Sequence, residues 1–237
     1  MNLQAAHEGT GGARPTAMPD AATPAGLPAG LPAHELVYRE LRARVLHGVF
    51  EPGQAVTIQG LTRDLAVGMT PVREALRRLM AEGALEFRGN RRISVPVLAE
   101  SDVEQLRHAR IALEPDLARR ACRTATAHDI AELQAIDSKL DEAIRRGNVH
   151  GYLVENHRFH ARLNAVAEAP ILTGLVEGLW LRFGPSLRVV CGQFGTRNLP
   201  DMHKDLVSAL KLGDCEAAAV AMAGDVEQGM EMIAQAL

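Results

Sequence analysis

Aromatic residues are scarce, with 5 Phe, 2 Tyr and 1 Trp in 237 residues. So few rings cannot build the stacking platforms on which proteins hold single-stranded nucleic acid. Cysteine is scarcer than most residue types. Cys122, Cys191 and Cys215 are too few and too far apart in sequence for a disulfide framework or a CxxC zinc site, so a reduced, cytoplasmic setting is expected. No run of about eighteen apolar residues occurs, which excludes a helical membrane span, and no membrane partner is expected. The first residues lack the basic start and apolar core of a secretory signal. Basic excess is absent too: 26 Lys and Arg face 29 Asp and Glu, for a formal net charge of -3. A protein that coats nucleic acid indiscriminately would be strongly basic, so any such contact here must be local.

That locality exists between Pro71 and Val97. Arg73, Arg77, Arg78, Arg88, Arg91 and Arg92 stand there against only Glu74, Glu82 and Glu86. Within it, the stretch TPVREALRRL (70–79) reads as a helix with Val72, Ala75, Leu76 and Leu79 on one side. Thr70, Arg73 and Arg77 share the opposite side. Guanidinium groups one turn apart suit phosphates and, through their planar fork, the O6/N7 edge of guanine in a major groove. Taken alone, the stretch reads more readily as an ordinary solvated amphipathic helix, so its flanks must decide.

Residues 1–33 are rich in Ala, Pro and Gly and are expected to form a disordered tail. His34 to Gly48 carries a helical stripe of Leu36, Val37, Leu41, Val45 and Leu46. Glu51-Pro-Gly-Gln54 marks a turn into a short extended segment, and Thr57 suits the N-cap of a short second helix. A turn at Val67 to Met69 leads into the basic helix, where Pro71 fits the first turn. Ala84 to Arg88 and Arg92 to Val97 then read as two strands joined at Gly89-Asn90. Helix, short helix, tight turn, basic helix and basic hairpin is the layout of a winged helix-turn-helix over 34–97. Arg88, Asn90, Arg91 and Arg92 fall on its wing, where charges position a protein on phosphates more than they read sequence.

A second domain is set at 98–237, and from Ser101 onward the chain reads as helices only, so the fold class is mainly α: a winged helix-turn-helix followed by an all-helical bundle. The expected helices run from Ser101 to Cys122, Thr126 to Arg146, Asn148 to Ala167, Ile171 to about Val190, Asp201 to Leu212 and Cys215 to Ala236. Ser101 with Glu104 and Thr126 with Asp129 have capping-box spacing, and Pro185 is expected to kink or divide the fourth helix. Several polar residues fall on apolar stripes. Asn156 and His160 lie among Leu153, Phe159 and Leu163; His203 lies among Leu206, Val207 and Leu210; Asp225 lies between Met222 and Gly229. Arg110 interrupts Leu106, Leu113 and Leu117, with Glu114 one turn on as a partner. His157 is expected on the opposite, solvent side of its helix.

A single inward His is usually a hydrogen-bonded core residue. Two imidazoles, an amide and a carboxylate from three helices are harder to satisfy one by one, because each unpaired group would cost about 1–3 kcal/mol. A shared divalent metal on Asn156, His160, His203 and Asp225 satisfies them together, and nitrogen and oxygen donors suit Zn, Ni or Mn. Such a site could activate water, so a metal-dependent hydrolytic enzyme is the alternative reading. Against it, no separate inward general base stands beside the ligands.

PGQAVTIQGLTRDLAVGMTPVREALRRLMAEGALEFRGNRRISV resembles the DNA-binding domain of the GntR superfamily of bacterial regulators. RIALE, NHRFHARL and HKDLVSALKLGDCEAAAVAM, in that order, resemble the FCD effector domain of its FadR-like branch. The resemblance implies a homodimeric repressor, not an enzyme, that binds a palindromic double-stranded operator under control of a small metabolite, often a carboxylate. It gives Thr70, Arg73 and Arg77 the roles of phosphate-contacting hydroxyl and recognition-helix arginines. His160 and His203 match metal ligands of the family, while Asn156 replaces an Asp and Asp225 stands in place of a His. Arg110 matches an Arg of the first effector-domain helix and is the candidate, with Asn156, for holding an effector carboxylate. Met69 stands where many members have Arg, and Arg92 where many have Gly.

Overall fold

The computed structural model describes residues 31–89, 92–194 and 202–237. The expected tail therefore lies outside the described residues except for 31–33, and Ala33 already opens the first helix. The N-terminal unit comprises α1 (Ala33–Leu46), β1 (Ala55–Val56), α2 (Ile58–Asp64), α3 (Met69–Ala81), β2 (Glu86–Arg88) and β3 (Arg92–Ser94). The Thr57 hydroxyl caps α2 by accepting the Gly60 N–H at 3.1 Å. Between α2 and α3 the chain turns over 65–68, with Ala66 in the left-handed region at φ 52°. The strands form an antiparallel sheet in the order β1-β3-β2, with Val56 opposite Ile93 and Phe87 opposite Ile93 across the hairpin. Leu36, Val37, Leu41 and Val45 of α1 close on Val72, Leu76 and Leu79 of α3, all buried. Each such side chain contributes about 1.5–3 kcal/mol of burial free energy, so this packing holds α3 with its charged side outward.

The helical unit comprises α4 (Glu100–Thr124), α5 (Ala127–Arg146), α6 (Val149–Val166), α7 (Pro170–Phe194), α8 (His203–Leu212) and α9 (Cys215–Gln235). The α4–α9 contact is the most extensive, and α4 also touches α6, α7 and α8, so it runs through the middle of the bundle. Thr126 and Asp129 form the expected reciprocal cap on α5. Gly147 and Gly213 end α5 and α8 in the left-handed conformation that a side chain resists. The start of α4 differs from expectation. The Asp102 carboxylate reaches back to accept the Ala99 N–H at 2.9 Å, which draws the helix start ahead of Ser101.

Pro185 does not divide α7, which runs unbroken through it. The segment is buried, and at Gly184 an added Cβ would come within 3.3 Å of the Leu46 carbonyl. Packing against α1 outweighs the lost hydrogen bond of the proline. That contact also joins the two units. Arg42 of α1 pairs with Glu177 of α7 at 2.9 Å, and Arg188 donates to the Gly48 carbonyl at 3.3 Å. His157 is likewise corrected: it is half-buried, with its ring 5.6 Å from that of His47 and 5.3 Å from that of Trp180. The face of α6 that one helix's periodicity assigns to solvent is covered by α1, and this burial pushes His157 down to about 3.

Candidate functional site

Two sites emerge at opposite ends of the chain's charge pattern. On α3, Thr70, Arg73 and Arg77 are all exposed, and among the described residues neither arginine is paired with a carboxylate. Arg78 differs from both. It donates to Glu35 and Glu82 and lies over the Tyr38 ring at 3.5 Å, so it binds α3 to α1. On the wing, Arg88 is exposed but bonded to Glu86 at 2.7 Å, while Arg92 is exposed with no ion pair among the described residues. Asn90 and Arg91 lie outside the described residues. The free guanidinium groups are thus concentrated on α3, where an open fork can donate to phosphate or base edges.

The second site lies inside the bundle. One turn of α6 carries Asn156 and His160, α8 begins at His203, and Asp225 sits midway along α9. The two imidazole Nε2 atoms are 3.4 Å apart. Asp225 Oδ2 is 3.2 Å from His160 Nε2, and its Oδ1 is 3.8 Å from His203 Nε2. One donor atom from each of the three lies within 4.8 Å of the others. Behind the rings stand two carboxylates: Glu114 is 3.5 Å from His160 Nδ1 and Asp137 is 3.5 Å from His203 Nδ1. At that distance each carboxylate is within electrostatic reach of its imidazole, and a small approach would let it hold the ring's near N–H and make the far nitrogen a better donor. This donor set fits a divalent cation.

Arg110 and Asn156 face the same space. With His160, Trp180, Cys191 and Asp225 they line a cavity of about 40 Å³. That volume accommodates an ion or a few waters, well short of the roughly 300 Å³ at which pockets for drug-sized ligands begin. Arg110 is buried on α4, paired bidentately with Glu114 at 2.6 and 3.3 Å, and lies over the Phe183 ring at 4.1 Å. Phe159 stacks on the His203 ring at 3.9 Å between centroids. Arg182 and Arg188 stay outside this cavity, toward Gly83 and Gly48 of the winged unit.

The electrostatics follow from burial and pairing. Burial opposes the charged form of Asp225, but the His160 hydrogen bond, with His203 and Arg110, holds the carboxyl down at about 2. Burial likewise opposes the imidazolium of His160, yet Asp225 and Glu114 raise it to about 9. Glu114 is kept low, against its burial, chiefly by Arg110. Because the folded-state value of His160 is above its ordinary 6.5, its pairing stabilises the metal-free protein fully below that value. The contribution is lost as pH rises through about 9. Chelator-treated protein should therefore lose on the order of 2–3 kcal/mol between pH 6.5 and 9.5. His160→Gln should flatten that part of the melting-temperature profile; an unchanged slope in the variant would rule out the assignment.

Sequence periodicity found Arg110, Asn156, His160, His203 and Asp225 but missed Asp137 and the second role of Glu114. Asp137 sits beside Ile136 on the inward side of α5, a signal visible only once that face is set against α8.

Comparison with known proteins gives two family matches: the FCD domain over residues 105–228, and the bacterial regulatory proteins of the gntR family over residues 33–95. The HTH-type transcriptional regulator McbR of Escherichia coli K12 is 28% identical over 202 residues, covering 84% of this chain and 91% of that protein. The HTH-type transcriptional repressor RspR of the same organism is 26% identical, covering 85% and 89%. Among solved structures, E. coli McbR/YncC superposes with a TM-score of 0.81 at 27% identity, covering 87% of this chain and 99% of that one.

Proposed function

The chain belongs to the GntR family of bacterial regulatory proteins with an FCD domain, and from that premise we propose that it is a dimeric, effector-controlled repressor. That it is a DNA-binding transcriptional regulator follows from the family, whose members among the relatives are regulators and not enzymes. The hydrolytic alternative finds no support. We assign residues 34–97 to the DNA-binding domain and 98–237 to effector binding and dimerisation. The setting is cytoplasmic, where operator and metabolite are both present.

One observation carries the effector reading: His160, His203 and Asp225 bring ligand-type atoms within 4.8 Å of one another, and two of them, His160 and Asp225, line a cavity into which Arg110 and Asn156 also face. His160, His203 and Asp225 would hold a divalent Zn, Ni or Mn ion, with Asn156 as a weaker fourth ligand. When bound, the ion supplies a Lewis-acid anchor for an anionic ligand. Arg110, whose Nε and Nη2 are held by Glu114, then offers its remaining guanidinium N–H groups to an effector carboxylate. The cavity is too small for most metabolites, so binding must spread the helices around it. Trp180 borders both this cavity and His157, whose ring meets that of His47 at the C-terminal cap of α1, so a spread bundle would disturb the seat of the winged domain. An effector acts by favouring the arrangement that fits DNA poorly, and only to the extent that it binds that arrangement better.

The test uses a DNA fragment selected by the protein from a random duplex library. Fluorescence anisotropy should show binding weakened 5- to 150-fold by one member of a small-carboxylate panel, the range typical of coupling between sites. If no carboxylate changes operator affinity, the effector reading fails. For the metal, addition of Zn, Ni or Mn to chelator-treated protein should raise its melting temperature. His203→Ala and Asp225→Ala should each abolish the rise, while Asn156→Asp should enlarge it by adding a charged ligand. A rise that persists in both alanine variants would place the metal elsewhere.

A further inference from the structure

Cys122 and Cys215 are 93 positions apart in sequence, yet their Sγ atoms lie 2.7 Å apart. Non-bonded carbon atoms rest at roughly 3.5–4.0 Å, so the two sulfurs are already closer than ordinary packing brings heavy atoms. Cys122 is in the last turns of α4 and Cys215 is the first residue of α9. Arg119 donates to both carboxylate oxygens of Glu216, at 2.7 and 2.9 Å. That fork lies one turn before Cys122 and one residue after Cys215, so the backbones are held in register at this point. Only a small closing movement separates the pair from a disulfide bond of about 2.05 Å.

We propose that Cys122 and Cys215 form a modification site, converted reversibly to a disulfide by exchange with a small-molecule disulfide. Cys215 is partly exposed and Cys122 is buried, which orders the steps. The Cys215 thiol gives up its proton and attacks one sulfur of the reagent RSSR. The reagent's S–S bond breaks, and one RSH leaves with that proton. Cys122 then attacks Cys215 Sγ in the mixed disulfide, its proton leaves with the second RSH, and the Cys122–Cys215 bond forms. Two thiols are oxidised by two electrons, and one RSSR is reduced to two RSH. Burial and the Cys215 hydrogen bond push the Cys122 thiol up to about 12, so Cys122 is slow toward outside reagents and acts as the resolving partner.

The bond would fasten α4, which carries Arg110 and Glu114, to α9, which carries Asp225. Oxidation would thereby stiffen the walls of the effector cavity. That consequence rests on the function proposed above, whereas the disulfide itself does not.

The test treats the reduced, full-length protein with oxidised glutathione, followed by denaturation, alkylation and mass spectrometry. The expected product has one alkylated thiol, Cys191, with no glutathione attached and a peptide joining residues 122 and 215. Its melting temperature should exceed that of the reduced protein by roughly 5–15 °C, and dithiothreitol should reverse the shift. Cys122→Ser should stop at a stable glutathione adduct on Cys215, and Cys191→Ser should oxidise like the parent. Three alkylated thiols, a persistent adduct on the parent, or a bond between chains would each overturn the proposal.

Discussion

Replacing Arg73 or Arg77 by alanine is expected to weaken binding to the selected operator by about 1–3 kcal/mol each, roughly 5- to 150-fold. Both side chains project from α3 without an internal ion pair among the described residues, so their full donor capacity is available to DNA. The loss should fall mainly on the specific site, because a bidentate guanidinium distinguishes guanine from the other bases. Arg78→Ala provides the contrast on the same helix. It removes the contact with Tyr38 and the bonds to Glu35 and Glu82, so it should lower the melting temperature with little change in sequence preference. Anisotropy with specific and scrambled duplexes separates these outcomes. If Arg73→Ala and Arg77→Ala both bind like the parent, α3 is not the reading helix.

Glu114→Ala should produce the largest loss of stability. Glu114 is wholly buried and Arg110 is 3% exposed, so removing the carboxylate strands a guanidinium inside the bundle. Breaking such a pair costs about 3–5 kcal/mol, which for a chain of this size lowers the melting temperature by roughly 6–20 °C. The double variant Arg110→Met with Glu114→Leu removes both charges and should recover most of that loss. It should also lose the response to a carboxylate effector, since the guanidinium proposed to receive it is gone. A single variant that melts within two degrees of the parent would show that the pair is not isolated from water.

Why a protein would keep this ion pair follows from the same comparison. A buried pair is seldom worth more than the hydrophobic side chains that could replace it. Here the carboxylate has two duties: it neutralises Arg110, and it stands behind His160 Nδ1 at 3.5 Å. The proposed cation site and the proposed anion-binding guanidinium would thus share one residue of α4.

The winged helix-turn-helix was legible because its signals are local. Thr57 and Pro71 each report on a few neighbouring residues, and the structure has the helices of this unit within about two residues of expectation, while the second wing strand, expected to Val97, ends at Ser94. The inward placement of Arg110, Asn156, His160, His203 and Asp225 was legible from the helical period of the surrounding leucines and valines. Where that reasoning failed, a second element intervened. His157 is covered by α1, and Pro185 is tolerated because Gly184 lets α7 press against Leu46. No period within one helix carries that information.

The sequence by itself therefore determined that Arg110, Asn156, His160, His203 and Asp225 face inward and which helix carries an open row of charges, because both are properties of a single 3.6-residue repeat. Only the tertiary structure decided which inward residues meet. Asp225 reaches both histidines, Asp137 and Glu114 stand behind them, Arg78 is spent on α1 while Arg73 and Arg77 stay free, and Cys122 lies against Cys215. Each of these meetings depends on the relative rotation and height of two packed helices. That is fixed by the fit of whole apolar faces across the bundle, to which residues dozens of positions apart contribute together.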